Sequence, residues 1–285
     1  MSSIGPGSQP MDEDLVLTKF ATTRLAHDEA EFSVARASDP LATLDSTDVE
    51  QCREALELAL KISDDLASLN PGDDQPVYDL THLDETNTKV FNEIMGEGEV
   101  SMLLHAPVQA QITEGVLAGV WRVREMDQNG ELTRDYVEIG DVPARVRHAI
   151  EVATVDRFQP GTPPEGAMNV MPVLAEISAR SARYKPGHRN HVISFSLLPM
   201  SEPDQMHLQA TLGRGPVHIN SRGYGRCRVL STGIRNVWAV QFYSASDEVV
   251  LDTIEIGDVP EAARAAKEDF EDSAIRMREI AEAYL

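Results

Sequence analysis

The chain states one pattern twice. Residues 96–149 align with residues 213–266 without a gap at a constant shift of 117, and 16 of the 54 paired positions are identical, where composition alone gives roughly 3. The identities cluster. Gly96-x-Gly98-x-Val100 matches Gly213-x-Gly215-x-Val217, and Val120-Trp121-x-Val123 matches Val237-Trp238-x-Val240. The longest block, Glu138-Ile-Gly-Asp-Val-Pro143, returns as Glu255-Ile-Gly-Asp-Val-Pro260, with Arg147 and Arg264 following. Upstream, Ile62, Pro71-Gly72, Val77 and Leu83 match Ile177, Pro186-Gly187, Val192 and Leu198 at a shift of 115. A repeat of this length exceeds a solenoid unit and reads as a duplicated domain of about 105 residues, enough for one small core.

Each unit is expected to be α+β. In the first, Cys52, Leu56, Ala59, Leu60, Leu66 and Leu69 recur at helical spacing from about Asp48 until Asn70-Pro-Gly72 stops the helix. A strand over Val77–Leu83 and a helix from Asp84 to Gly96 follow, and then the period turns to that of a β-meander from Val100 to Ile139, with a hairpin signal at Asn129-Gly130. Pro143 suits the first turn of a helix running to about Asp156. The second unit repeats the order: a helix over Met168–Tyr184, a strand over His191–Leu198, a helix over Asp204–Leu212, a meander from Val217 to Ile256, and a longer last helix from Pro260 to Leu285. The predicted organisation is an acidic, partly disordered arm (1–46), a first repeat (47–156), a Pro/Gly linker (157–166) and a second repeat (167–285). Two antiparallel sheets with helices are expected, packed about a pseudo-twofold axis.

A net charge of −22 argues against nucleic acid and anionic membrane as partners, since both reward clustered Lys and Arg. No apolar run approaches the ~20 residues of a membrane span, and no basic start precedes an apolar stretch at the N-terminus. Two cysteines, one per unit, make no disulfide framework and fit a reducing, cytoplasmic compartment.

Candidate chemistry is sparse. The two Gly-x-Gly motifs follow a helix and precede a strand, the reverse of a dinucleotide fingerprint, and read as helix stops. Trp121 and Trp238 sit among valines and are expected in the core. Glu138 with Asp141 is a weak carboxylate pair, since no nucleophile or base pattern accompanies it, and the same holds for Glu255 with Asp258. His188, His191, His207 and His218 share a unit with Cys227, ligand types suited to nickel or iron, but their spacing matches no template and the first unit has Asp73 and Pro76 in place of His188 and His191. No catalytic residue, metal ligand set or cofactor is assigned. The most distinctive segment without a copy is Arg222-Gly-Tyr-Gly-Arg-Cys-Arg228, a basic spot on an acidic chain. It reads as a bulge at a strand start or as a partner-binding site made by Arg222, Tyr224, Arg226, Cys227 and Arg228.

Taken together, Gly96-Glu-Gly-Glu-Val-Ser101, His191-Val-Ile-Ser-Phe-Ser-Leu-Leu-Pro199, Gly223-Tyr-Gly-Arg-Cys-Arg228, Asn236-Val-Trp-Ala-Val-Gln-Phe242, Leu251-Asp-Thr-Ile-Glu-Ile-Gly-Asp-Val-Pro260 and Ala265-Ala-Lys-Glu-Asp-Phe-Glu-Asp-Ser273 resemble the HupH/HyaF family of hydrogenase expression/formation proteins. The resemblance covers most of the chain from about Cys52. It implies a cytoplasmic accessory protein, or chaperone, for maturation of an uptake nickel–iron hydrogenase. The implied partner is the immature iron–sulfur small subunit, with other maturation proteins possible. A carrier of metal or iron–sulfur cluster, using Cys227 and nearby His, is the alternative, and an enzyme acting on the precursor comes third. The family brings no established catalytic site to transfer.

Overall fold

The computed structural model describes residues 51–70, 74–223 and 225–283. The arm expected at 1–46 lies outside them, as does Tyr224. The first unit runs α1 (Arg53–Ser68), β1 (Val77–Asp79), α2 (Glu85–Met95), β2 (Val100–Leu104), β3 (Gln109–Glu114), β4 (Val120–Met126), β5 (Leu132–Ile139) and α3 (Ala144–Ala153). The second runs α4 (Val170–Ser181), β6 (His191–Ser194), α5 (Glu202–Leu212), β7 (Val217–Ser221), β8 (Arg226–Ser231), β9 (Val237–Tyr243), β10 (Val249–Ile256), a 3-10 turn (Glu261–Ala263) and α6 (Glu268–Glu282). The α+β class holds, with one large antiparallel sheet.

Local chemistry explains the shared order. Ala55, Leu56, Ala59, Ile62 and Leu66 make one buried face of α1. Asp84 caps α2 by accepting from the Asn87 N–H, and Ser201 and Asp204 form a reciprocal capping box on α5. Both helices stop on a glycine, Gly96 at φ 57° and Gly213 at φ 63°, a conformation that residues with a Cβ avoid. Two residues on, a Cβ on Gly98 or Gly215 would strike the main chain of Gly115 or Thr232. The Gly-x-Gly motifs are helix stops followed by close backbone approach.

The strands form a single ten-stranded sheet in the order β1-β5-β4-β3-β2-β7-β8-β9-β10-β6. With strands matched by unit, that order reads the same from either edge. The halves join at β2 and β7, where Val100 pairs with Ser221 and Leu104 with Val217 around a central Met102–Ile219 pair. Those positions are equivalent at the shift of 117, so each strand presents the same register to its copy. The junction extends likewise at both ends: the Arg222 N–H donates to Glu99 O at 3.0 Å, and the His105 N–H to Pro216 O at 2.9 Å.

Three elements differ from expectation. β1 ends at Asp79 because the Asp79 carboxylate accepts from the Thr81 N–H at 2.9 Å and turns the chain. β6 ends at Ser194, where the Leu197 N–H donates back to Ser194 O in a turn. The last helix is broken: after the 3-10 turn Arg264 is extended (φ −113°, ψ 140°), and α6 starts only at Glu268. The Ala265 N–H donates to Asp141 O at 2.9 Å, so a bond to the other unit holds this stretch out of the helix.

From there α6 packs along α1. Ser63 Oγ donates to Ala274 O at 2.8 Å, Arg278 pairs with Asp64, and Phe270 lies against Gly119. One apolar cluster therefore joins α1, α2, α3 and α6 and takes in both tryptophans, while a second lies with α4 and α5. Alternation along β9 feeds both: Trp238 and Val240 belong to the first cluster, Val237 and Ala239 to the second.

Candidate functional site

Besides the β2–β7 junction, the two units meet at the longest repeated block. Glu138–Pro143 ends β5 and Glu255–Pro260 ends β10, each with the same local construction. Trp121 Nε1–H donates to Gly140 O at 2.8 Å, and Trp238 Nε1–H to Gly257 O at 3.3 Å. Both tryptophans are almost fully buried, so these bonds satisfy the indole donors inside the core. Gly140 and Gly257 stand at φ 147° and 156°, and a Cβ on either would collide with the side chain of Gln75 or Asn190. Those amides reach across the turn: Gln75 Nε2 donates to Val142 O at 3.0 Å and Asn190 Nδ2 to Asp258 O at 2.9 Å.

The turns deliver Asp141 and Asp258 to a common place. Arg147 Nη2 lies 2.9 Å from Asp141 Oδ2 and 2.9 Å from Asp258 Oδ2, with Nε donating to Asp258 Oδ1 at 3.2 Å. Arg264 binds Asp141 Oδ2 through Nη2 and Nε, both at 3.0 Å. Burial pushes the Asp141 carboxyl up, but the Arg147 hydrogen bonds and the two guanidinium charges outweigh it and hold Asp141 below the usual carboxylate range. Burial alone would lower Arg147, and its bonds to Asp141 and Asp258 raise it instead. Two acids and two bases thus form a charge-balanced quartet in the wall of a cleft of about 1220 Å³ between the units, lined also by Asp74, Gln75, His148, Gly187 and Lys267 among others. A second recess of about 640 Å³ adjoins it, sharing Gly187, Asp258, Glu261 and Arg264.

The quartet ties the two units together by ion pairs. Asp141 is held by two guanidinium groups. Glu138 is buried and pushed up by that burial, against N–H groups of Arg145 and Ala144. Glu255 is also pushed up by burial and accepts from Asn190 Nδ2 at 3.1 Å.

The basic segment singled out in the sequence forms the turn and first residues of the β7–β8 hairpin. The side chains of its described residues Arg222, Arg226, Cys227 and Arg228 do not converge. Arg226 is exposed and pairs with Asp247, Arg228 stacks 5.6 Å over the Tyr243 ring, and Arg222 is exposed. Cys227 is 4% exposed, and burial followed by the Glu255 charge pushes its thiol up to about 12. The histidines disperse: His191 bonds Glu176, His207 bonds Pro160 O, and His218 meets His105 across the unit junction at 3.3 Å. Among the described residues no three His, Cys, Asp or Glu stand together as a metal site. Sequence reasoning missed the quartet itself. Its signal was the recurrence of Asp141, Arg147, Asp258 and Arg264 in the most strongly repeated block.

The family model described as "HupH hydrogenase expression protein, C-terminal conserved region" matches residues 53–154 and again 167–284. The chain belongs to the HupH family. Each HupH match contains one copy of the Glu-Ile-Gly-Asp-Val-Pro block and one Arg of the quartet. The chain is 46% identical to the hydrogenase expression/formation protein HupH of Rhizobium leguminosarum bv. viciae over 88% of its length and 89% of that protein's. It is 36% identical to hydrogenase expression/formation protein HoxQ of Cupriavidus necator over 97% of this chain and 94% of the other. The hydrogenase-1 operon protein HyaF of Escherichia coli is 29% identical, again over 97% and 94%. Among the described residues, no helix of this HupH-family chain is long and apolar enough to cross a membrane.

Proposed function

We propose that the chain is an accessory protein of nickel–iron hydrogenase maturation, a chaperone that acts in the cytoplasm by binding the immature iron–sulfur small subunit without catalysing a reaction. One observation carries the reading: both units match the HupH family, and relatives matched along nearly the whole chain bear the names of hydrogenase expression/formation proteins. The protein would cover apolar or cluster-binding surface of the subunit until the large subunit docks. A net charge of −22 would speed its encounter with a basic segment of the partner, an effect that salt screens. Arg222, Tyr224, Arg226 and Arg228 are proposed as separate partner contacts along one hairpin, and Cys227 as its inward support. The repeats at 47–156 and 167–285, joined by 157–166, are read as pseudo-twofold copies. The strand order and the β2–β7 register support this.

The test is anaerobic affinity purification of the tagged protein from hydrogenase-expressing cells, probing for the small-subunit precursor. Recovery of the precursor without the large subunit is the expected result. Recovery of neither, or of the assembled enzyme alone, overturns the reading.

A further inference from the structure

The duplication supplies its own control for what the second recess holds. At the shift of 117, Glu125, Tyr136, Glu138 and Arg145 of the first unit correspond to Phe242, Thr253, Glu255 and Ala262. The backbone enters both places alike: Pro143 (φ −53°, ψ 135°) opens the α-helix that carries Arg145, and Pro260 (φ −54°, ψ 143°) opens the 3-10 turn that carries Ala262. Trp121 pairs with Glu138 in the ladder as Trp238 pairs with Glu255.

What differs is the filling. In the first unit the Arg145 guanidinium lies 3.1 Å from the buried Glu125 carboxylate, which also accepts from Tyr136 Oη at 2.9 Å, and Arg145 acts on buried Glu138 by its charge. An arginine of the chain itself fills that space. In the second unit Ala262 ends at Cβ, Phe242 replaces the acid, and Thr253 turns its hydroxyl back to Val240 O at 3.3 Å. A recess of about 640 Å³ remains, with Glu255, Phe242, Ala262 and Val192 in its wall.

Its charge is set by which side chains are tied in ion pairs; among the described residues, Glu255 has only the neutral Asn190 amide as its side-chain partner. Asp258 is bound by Arg147, and Arg264 is bound to Asp141. Glu255 and Glu261 are the carboxyls of the lining outside those ion pairs, and its other basic residues, Arg189 and His188, are both exposed. A planar guanidinium suits a carboxyl beside an aromatic ring, because it donates two parallel N–H groups and stacks. Val192 places the recess against β6, a sheet-edge strand bonded on one side to β10, and Val192 itself is 52% exposed. An extended segment can run beside such an edge.

We propose that this recess receives one arginine side chain from an extended segment of a partner protein, bonded to Glu255 and stacked on Phe242 at the place where Arg145 of the first unit pairs with Glu125. The proposal rests on the partner-binding reading above and names the chemistry that the partner must present.

The experiment uses the two tryptophans, one per unit, as reporters in the full chain. Indole N–H signals are followed by NMR, assigned with Trp121→Phe, while a blocked Ala-Ala-Arg-Ala-Ala peptide is titrated in, with citrulline and lysine versions as controls. Trp238 is expected to shift saturably and Trp121 to stay still. Citrulline is expected to bind about tenfold more weakly or worse, having lost a charge-assisted contact. Ala262→Arg refills the recess with the side chain that the first unit tolerates and is expected to abolish the response. Glu255→Gln, nearly isosteric, is expected to weaken it and serves if the first variant fails to fold. An unmoved Trp238, equal movement of both indoles, citrulline binding as well as arginine, or an undiminished response in both variants overturns the proposal. If the parent peptide response is absent while the small subunit co-purifies, the recess assignment alone fails. If the peptide responds as expected while no subunit is recovered, the recess stands and the hydrogenase reading fails.

Discussion

Arg147 of the first unit binds Asp258 of the second as closely as it binds Asp141 of its own, both Nη2–Oδ2 separations being 2.9 Å. This is a long-range tie, since 111 residues separate Arg147 from Asp258. Removing the guanidinium by Arg147→Ala leaves Asp258 facing the cleft without it, while Asp141 keeps Arg264. The groups are about one-quarter to one-third exposed, so the cost falls short of that for breaking a fully buried pair and is expected at about 1–3 kcal/mol. Arg147→Lys recovers little of it, because one ammonium cannot reproduce the fork that spans two carboxylates. The urea midpoint of each variant checks both statements.

Asp141 carries the quartet's pH dependence. Its folded carboxyl is held below the unfolded value, so its contribution to stability is present above about pH 4 and is lost as pH falls through the lowered folded value. Glu114 works in the opposite sense. Burial raises it from 4.5 to about 7, with the Glu99 and Asp269 charges adding to the rise and the Gly119 N–H opposing it. Stability is therefore full below about pH 4.5 for this group and falls as pH rises to about 7, by about 3 kcal/mol. Glu114→Gln is expected to remove that fall, so that parent and variant diverge between pH 5 and pH 8 with the variant the more stable at pH 8. Denaturation curves at both pH values settle the sign.

Gly140 and Gly257 test whether the repeated turn works alike in both units. Alanine at either position meets a left-handed backbone and the side chain of Gln75 or Asn190, and a cost of about 2 kcal/mol or more is expected for each. In the first unit, Gln75→Ala added to Gly140→Ala should return the steric part but not the conformational part. A double-mutant cycle on thermal unfolding separates the two.

Much of this architecture could be read from the repeat. The duplicated glycines after α2 and α5 stop helices as their context implied, the tryptophans are core, and the meanders are present in both units. What could not be read lay in pairs distant along the chain. Helix propensity carries Pro260–Leu285 as one helix, yet Arg264 leaves it to reach Asp141, 123 residues away. The union of two expected sheets into one depends on β2 and β7 having matching free edges, which alternation within a strand does not encode. The recess beside Glu255 was written only as a difference between copies, in Arg145 against Ala262, and had meaning once those positions were superposed. The Arg222–Arg228 segment looked cohesive in the sequence, but successive strand residues point to opposite faces, and Cys227 went inward.

Cys227 supplies the last prediction. A thiol that is 4% exposed and pushed up to about 12 has almost no thiolate at neutral pH and little access to reagent. Cys52 is buried as well, at 7%. In the native protein at pH 8, a thiol-specific reagent is expected to label neither cysteine at a rate near that of a free thiol, and labelling should rise in step with unfolding as urea is added. Cys227→Ser should keep the fold, because the side chain is small, at a cost of about 1 kcal/mol for placing a hydroxyl in an apolar site. It should also retain the small subunit in affinity purification if Cys227 only supports the hairpin from within. Rapid native labelling of Cys227, together with loss of bound metal and of the subunit in Cys227→Ser, would give the opposite result: a thiol that reaches solvent and carries cargo. The burial of Cys227 beside Glu255, whose negative charge disfavours a thiolate, argues for the first outcome.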